Sequence, residues 1–190
     1  SANFTNVEFV VTDGQLEITK RKVTLTSADD EKVYDGKALT NDKVTIGGDG
    51  FVGDDNVTCD VTGTLTNVGE TANTFSYALN EGTNADNYEI TKTEGTLKVT
   101  PVTDMVTVTI KGNTASEKYD GTEKTAIGYK VESISNSLYT TNDFTFGGTA
   151  EVKGTDANIY PMGLKDSDFE NTSANFTNVE FVVTDGQLEI

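Results

Sequence analysis

The chain has 190 residues, with 14 Lys and Arg against 31 Asp and Glu, a net charge of −17, no His, no Trp and a single Cys. That balance opposes nucleic acid and anionic membranes, whose recognition needs clustered basic residues. It also removes the commonest general base, the commonest zinc ligand and any internal disulfide, and no run of about 18 apolar residues offers a membrane span.

In chain order the first feature is SANFTNVEFVVTDGQLEI, residues 1–18, which recurs unchanged at 173–190. Such identity is a repeat signature, and it places 1–18 as the tail of a preceding repeat with a period of 172 residues. Val7, Phe9 and Val11 alternate with polar residues and would leave an apolar stripe beside unpaired strand edges. Residues 1–18 are therefore expected to pair with a neighbouring chain or to dock on the module that follows.

After the short linker Thr19-Lys20-Arg21-Lys22, a module spans 23–100, and after Thr100-Pro101-Val102-Thr103-Asp104 a diverged second one spans 106–190. The two align at an offset of 85: Val23-Thr24-Leu25 with Val108-Thr109-Ile110, Tyr34-Asp35-Gly36 with Tyr119-Asp120-Gly121, and Ala72-Asn73 with Ala157-Asn158. Further on, Asn87-Tyr88 matches Asn175-Phe176, and Gly95-x-Leu97-x-Val99 matches Gly186-x-Leu188-x-Ile190. Thr, Val and aromatic residues alternate with polar ones, as in Val57-Thr58-Cys59-Asp60-Val61 and Phe75-Ser76-Tyr77-Ala78-Leu79, the period of half-buried strands. Asp-Gly and Gly-Gly pairs supply turns. The pattern predicts all-β structure: six to eight short antiparallel strands per module, with one helical turn near 37–43 or 161–170. The expected fold is two tandem small immunoglobulin-like β-sandwich modules, with β-grasp-like sheets as the alternative.

Few residues suggest chemistry. Tyr-Asp-Gly occurs once per module and reads as a register-fixing turn, with Gly at positive φ and the Tyr ring packed beside it, its hydroxyl in water. The acidic, Gly-rich stretch 47–56 could offer oxygens to calcium, but its spacing departs from the EF-hand loop and the second module lacks its acids; it reads as a solvated hairpin loop. Cys59 aligns with Phe144, the mark of a core position. Tyr129, Tyr139, Phe144 and Phe146 would form a binding patch if exposed, whereas alternation sends Phe144 and Phe146 into the core. No catalytic, cofactor or metal site is assigned, and the sequons, such as Asn175-Phe176-Thr177, arise easily in so Thr-rich a chain.

Lys32-Val33-Tyr34-Asp35-Gly36-Lys37-Ala38-Leu39-Thr40, Val61-Thr62-Gly63-Thr64, Asn87-Tyr88-Glu89-Ile90 and Glu94-Gly95-Thr96-Leu97-Lys98-Val99 together resemble the Tyr-Asp-Gly (YDG or MBG-type) repeats of bacterial surface proteins. The resemblance covers nearly all of the first module; the second keeps Tyr119-Asp120-Gly121 and has Phe176 where the family has Tyr. It implies tandem arrays on large secreted or wall-attached proteins, often of gut Gram-positive bacteria, that act as stalks for a distal adhesive domain, and it brings no catalytic residues. Adjacent repeats are the expected partners. A glycan or host surface protein as ligand of an adhesin module is the alternative.

Overall fold

In the computed structural model, residues 3–190 are described. Among them the chain is all-β, with eighteen strands and two isolated 3-10 turns. The first half carries β1 (Arg21–Ser27), β2 (Asp30–Val33), β3 (Val44–Gly48), β4 (Val57–Val61), β5 (Gly69–Asn73), β6 (Phe75–Leu79), β7 (Tyr88–Thr93) and β8 (Gly95–Thr100). The second carries β9 (Val106–Gly112), β10 (Thr114–Ser116), β11 (Lys124–Ile127), β12 (Tyr129–Ile134), β13 (Phe144–Phe146), β14 (Glu151–Gly154), β15 (Ile159–Pro161), β16 (Phe169–Asn171), β17 (Val179–Thr184) and β18 (Gln187–Glu189). The strands form several small sheets, ordered β3-β1-β7, β2-β8-β5 and β4-β6 in the first half. In the second half the orders are β12-β9-β17, β10-β18-β15, β11-β14 and β13-β16.

The second half exceeds the six to eight strands expected, because its long strands are interrupted. Gly128 at φ 89° separates β11 from β12, and Asp185-Gly186 separates β17 from β18. One 3-10 turn, Asp166–Asp168, falls in the expected window of 161–170; the other lies at Ala85–Asn87, and 37–43 holds none.

Uniformly antiparallel pairing is also not what the chain adopts. β1 runs parallel to β7, from Arg21 beside Tyr88 to Thr26 beside Thr93, and β2 continues parallel to β8. In the second half β9 runs parallel to β17 and β10 to β18. Where the paired strands bend together, the backbones come closer than a side chain permits. A Cβ on Gly95 would sit 2.5 Å from the Ser27 carbonyl oxygen, and one on Gly186 2.5 Å from that of Asn113. The two glycines aligned in sequence therefore serve one physical purpose, a crossing that only hydrogen fits.

Apolar alternation delivers the cores. Val23 and Leu25 meet Val57, Phe75 and Tyr88, while Leu97 and Val99 meet Leu39, Tyr34 and Val68. In the second half Val106, Val108 and Ile110 pack with Tyr139, Phe144, Phe169 and Phe176. Each such side chain, fully buried, contributes roughly 1.5–3 kcal/mol. The first half also buries a polar knot. Ser27 Oγ donates to the Asn73 carbonyl (2.6 Å) and accepts from the Gly95 amide (2.9 Å), and Asn73 Nδ2 donates to the carbonyls of Ala28 (3.0 Å) and Asn41 (2.9 Å).

The opening segment does not dock on the first module. Residues 6–20 form no strand, and all of 3–20 are exposed; Ser1 and Ala2 lie outside the described residues. The physical reason is where the matching slot lies. The identical copy at 173–190 lines β17 against β9 and β18 against β10 and β15, a site in the second half that the copy itself fills.

Candidate functional site at the contact between the halves

Both Tyr-Asp-Gly segments are turns. In the first, Gly36 takes φ 74°, Asp35 Oδ1 accepts from the Lys37 amide (3.0 Å), and Lys32 Nζ donates to the same oxygen (2.6 Å) and to the Lys37 carbonyl (2.6 Å). In the second, Gly121 takes φ 80° and Asp120 accepts from the amide and hydroxyl of Thr122 and from Lys124 Nζ. The Lys32 ammonium, with the Lys37 amide, holds the Asp35 carboxyl below its usual range. Lys124 and Thr122 do the same to Asp120 more strongly. These are exposed pairs whose worth is conformational: they fix the turn.

The tyrosines differ. Tyr34 is half-buried, but its ring does not simply lie beside its own turn. It stands edge-on to Phe176 in the other half, centroids 5.7 Å apart at 79°, and so touches the cores on both sides. Phe176 in turn meets Tyr139 edge-on at 5.1 Å. Tyr119, the aligned residue, is 58% exposed.

Around the Tyr34–Phe176 contact, Asn175 to Asn178 clasp the linker. The Asn175 carbonyl accepts from the Val102 amide (2.9 Å), and the Val102 carbonyl accepts from the Thr177 amide (3.1 Å). Asn178 Nδ2 donates to the Thr103 carbonyl (2.6 Å). The Asn175 side chain reaches further, accepting from the Val68 amide (2.9 Å) and donating to Asn67 Oδ1 (3.2 Å). The amide of the Asn175 sequon is thus committed to holding the halves together. Asn67, Val68, Asn175 and Phe176 were not distinguished by sequence as junction residues. The one available signal was the alignment of Asn175-Phe176 with Asn87-Tyr88.

The other candidates resolve into structure. The 47–56 stretch is not a hairpin, since β3 pairs with β1 and β4 with β6; it crosses between sheets. Asp49 accepts from the Lys22 amide (3.0 Å), and Arg21 donates to the carbonyls of Gly50 and Asp49. Asp55 accepts from the Tyr88 hydroxyl (2.5 Å), which raises the Tyr88 pKa. Among the described residues no three His, Cys, Asp or Glu are grouped as metal ligands. Cys59 lies half-buried against the first core, and burial pushes its thiol pKa up, the reverse of what a nucleophile needs. Phe144 is buried, and Phe146 and Tyr129 pack against the same core, with the Tyr129 ring 4.9 Å from Phe146 and 5.0 Å from Phe169. Tyr139 is buried too, its pKa pushed up to about 12 by desolvation and by Asp143. These four rings form core, not an exposed stacking patch.

No curated protein and no solved structure matches the chain. Residues 19–95 match the YDG domain family, whose name is the motif that builds the Tyr34 turn. That stretch, which contains the core around Val23 and Leu25 and supplies Tyr34, Asn67 and Val68 to the junction, is a YDG-type domain.

Proposed function

We propose that the chain is a non-catalytic spacer segment of a bacterial surface protein, outside the cell, in which two immunoglobulin-like β-sandwich modules, 23–100 and 106–190, stand in tandem and display a distal adhesive domain. One observation carries the reading. The two strands that open each half run parallel to the two that close it, β1 and β2 beside β7 and β8, and β9 and β10 beside β17 and β18, so the chain enters a half at one end and leaves at the other. Where it leaves the first half, Tyr34, Asn67 and Val68 hold the second in place through Phe176 and Asn175. A series connection with a gripped linker makes a rod segment, and a net charge of −17 resists collapse between neighbours. The cores between the small sheets and the strand count support a sandwich over a single β-grasp sheet. A binding role through Tyr129, Tyr139, Phe144 and Phe146 draws no support, because these rings are packed inside.

Small-angle scattering of the full chain tests the reading. The expected result is an elongated particle whose pair-distance distribution has a shoulder at the separation of two module centres. A compact globule, with the two halves folded side by side, would overturn it.

A further inference from the structure

The two copies of SANFTNVEFVVTDGQLEI hold opposite environments. In the C-terminal copy Phe176 is 2% and Leu188 0% exposed; in the N-terminal copy their counterparts Phe4 and Leu16 are 73% and 88% exposed. The difference is not chemical, since every residue is the same. It is occupancy: the second half has one slot for this sequence, and the chain carries the sequence twice.

That slot is selective. Val179 to Thr184 lie in register beside Val106 to Lys111, and Leu188 sits opposite Ala115 on one side and Tyr160 on the other. At the bend, a Cβ on Gly186 would meet the Asn113 carbonyl at 2.5 Å, so the entering strand must have glycine there. One residue earlier, Asp185 accepts from the amides of Gly163 (2.9 Å) and Leu164 (2.7 Å). Asp13-Gly14 reproduces the pair, and at Gly14 itself a Cβ would meet nothing within 4 Å.

We propose that residues 4–18 of one chain can occupy, in a second copy, the slot that residues 176–190 otherwise fill, joining copies head to tail by strand exchange. Every contact of the displaced strand is remade by an identical one, so the exchange is neutral within the slot. The covalent connection then decides the geometry. Only the three residues 18–20 separate the copied β18 segment from β1, so the donor's first half is drawn against the acceptor's second half. That encounter brings a second pair of aligned positions together. Tyr34 covers Phe176 inside the chain; by the same alignment, Tyr119 of the acceptor faces Tyr88 of the donor. Tyr88 borders a cavity of about 350 Å³ lined also by Ile18, Arg21, Val52, Asp55 and Asn87. The open Tyr119 and this open cavity are the two faces of one junction. The proposal does not depend on the spacer reading, because it concerns only which strand fills the slot.

Chains of residues 1–190 test it. Leu188→Asp spoils the C-terminal copy as occupant and leaves Leu16 intact. The expected result is a mass that rises with concentration in size exclusion with light scattering. The double variant L16D/L188D should lose those oligomers, as should G14V/L188D, whereas G14V alone should melt as the wild type does. A Leu188→Asp chain that stays monomeric at all concentrations, folded or not, overturns the proposal. So do oligomers that persist in G14V/L188D, since they would use another surface. A second measurement leaves Leu16, Leu188 and both glycines in place. Two Cys59→Ser chains, one with Val10→Cys and one with Thr109→Cys, are mixed, warmed through the unfolding midpoint, cooled and oxidised. Val182 lies opposite Thr109 in the native register, so exchange places position 10 there. A disulfide-linked heterodimer is expected, and it should be lost when Thr122→Cys replaces Thr109→Cys. No heterodimer, or equal yields from both mixtures, refutes the exchange.

Discussion

Asn73→Ala removes the larger of the two polar side chains enclosed in the first half, at 0% exposure. Its Nδ2 serves two carbonyls, those of Ala28 and Asn41, and truncation leaves both without that donor. Each orphaned buried acceptor costs about 1–3 kcal/mol. Against this, Asn73 Oδ1 is itself buried without a partner, and deleting it returns a desolvation penalty of similar size, about 1–3 kcal/mol. The Ser27 hydroxyl bond survives because it goes to the backbone oxygen of Asn73. The net loss is roughly 1–3 kcal/mol, two orphans less one relieved. Urea unfolding followed by circular dichroism reads this directly: with a slope of about 1–3 kcal/mol per molar, the first half's midpoint should fall by roughly 1 M. The aligned variant Asn158→Ala is the control. Asn158 is exposed and its side chain bonds only the next amide, Ile159, at 2.9 Å, so the expected change is below about 0.5 kcal/mol. A midpoint for Asn73→Ala indistinguishable from wild type, or equal effects at the two positions, would refute the reasoning.

Tyr34→Ala should loosen the junction and cost about 2 kcal/mol in combined burial and ring contact, read as faster hydrogen exchange at the Val68 and Val102 amides; unchanged protection there would count against the clasp. Lys32→Met should let the Asp35 pKa rise, measured by carboxyl NMR titration. Because the folded Asp35 pKa is lowered, its stabilisation is present above the ordinary carboxylate range and is lost as pH falls through the folded value, so the variant should show a weaker acid dependence than wild type. Asp55→Asn should bring the Tyr88 phenol titration down, since the hydrogen bond to Asp55 is the main cause of its elevation; near-ultraviolet phenolate absorbance checks it.

The alternation of Val57, Cys59 and Val61, and of Phe144 and Phe146, placed those residues on inward faces correctly, because period two is read from the pleat itself. Strand direction was beyond it. A parallel and an antiparallel neighbour bury the same alternate residues, so β1 beside β7 leaves no mark in either segment. Gly95 and Gly186 were visible as an aligned pair, yet the need for them lay in a carbonyl on a strand remote in sequence, at Ser27 and Asn113. The junction was hidden for a similar reason: Tyr34 looked like part of a local turn, and its ring partner is Phe176, far along the chain. The opening segment sets the limit of such reading. One sequence is core at 173–190 and exposed at 3–18, so no rule written on those eighteen residues alone could tell the two fates apart.

The parallel pairing of opening with closing strands has a mechanical meaning. A pull on the two ends of a half draws β1 and β7 past each other, and β9 and β17 likewise, along their own lengths. The ladder of hydrogen bonds between them is then loaded in shear, all rungs at once, where a terminal hairpin would open like a zip, one rung at a time. The bends at Gly95, which opens β8, and Gly186, between β17 and β18, follow directly on those strands, with backbone against backbone, and act as catches against sliding. A chain built this way transmits tension through its strongest direction and yields only when a whole ladder fails together.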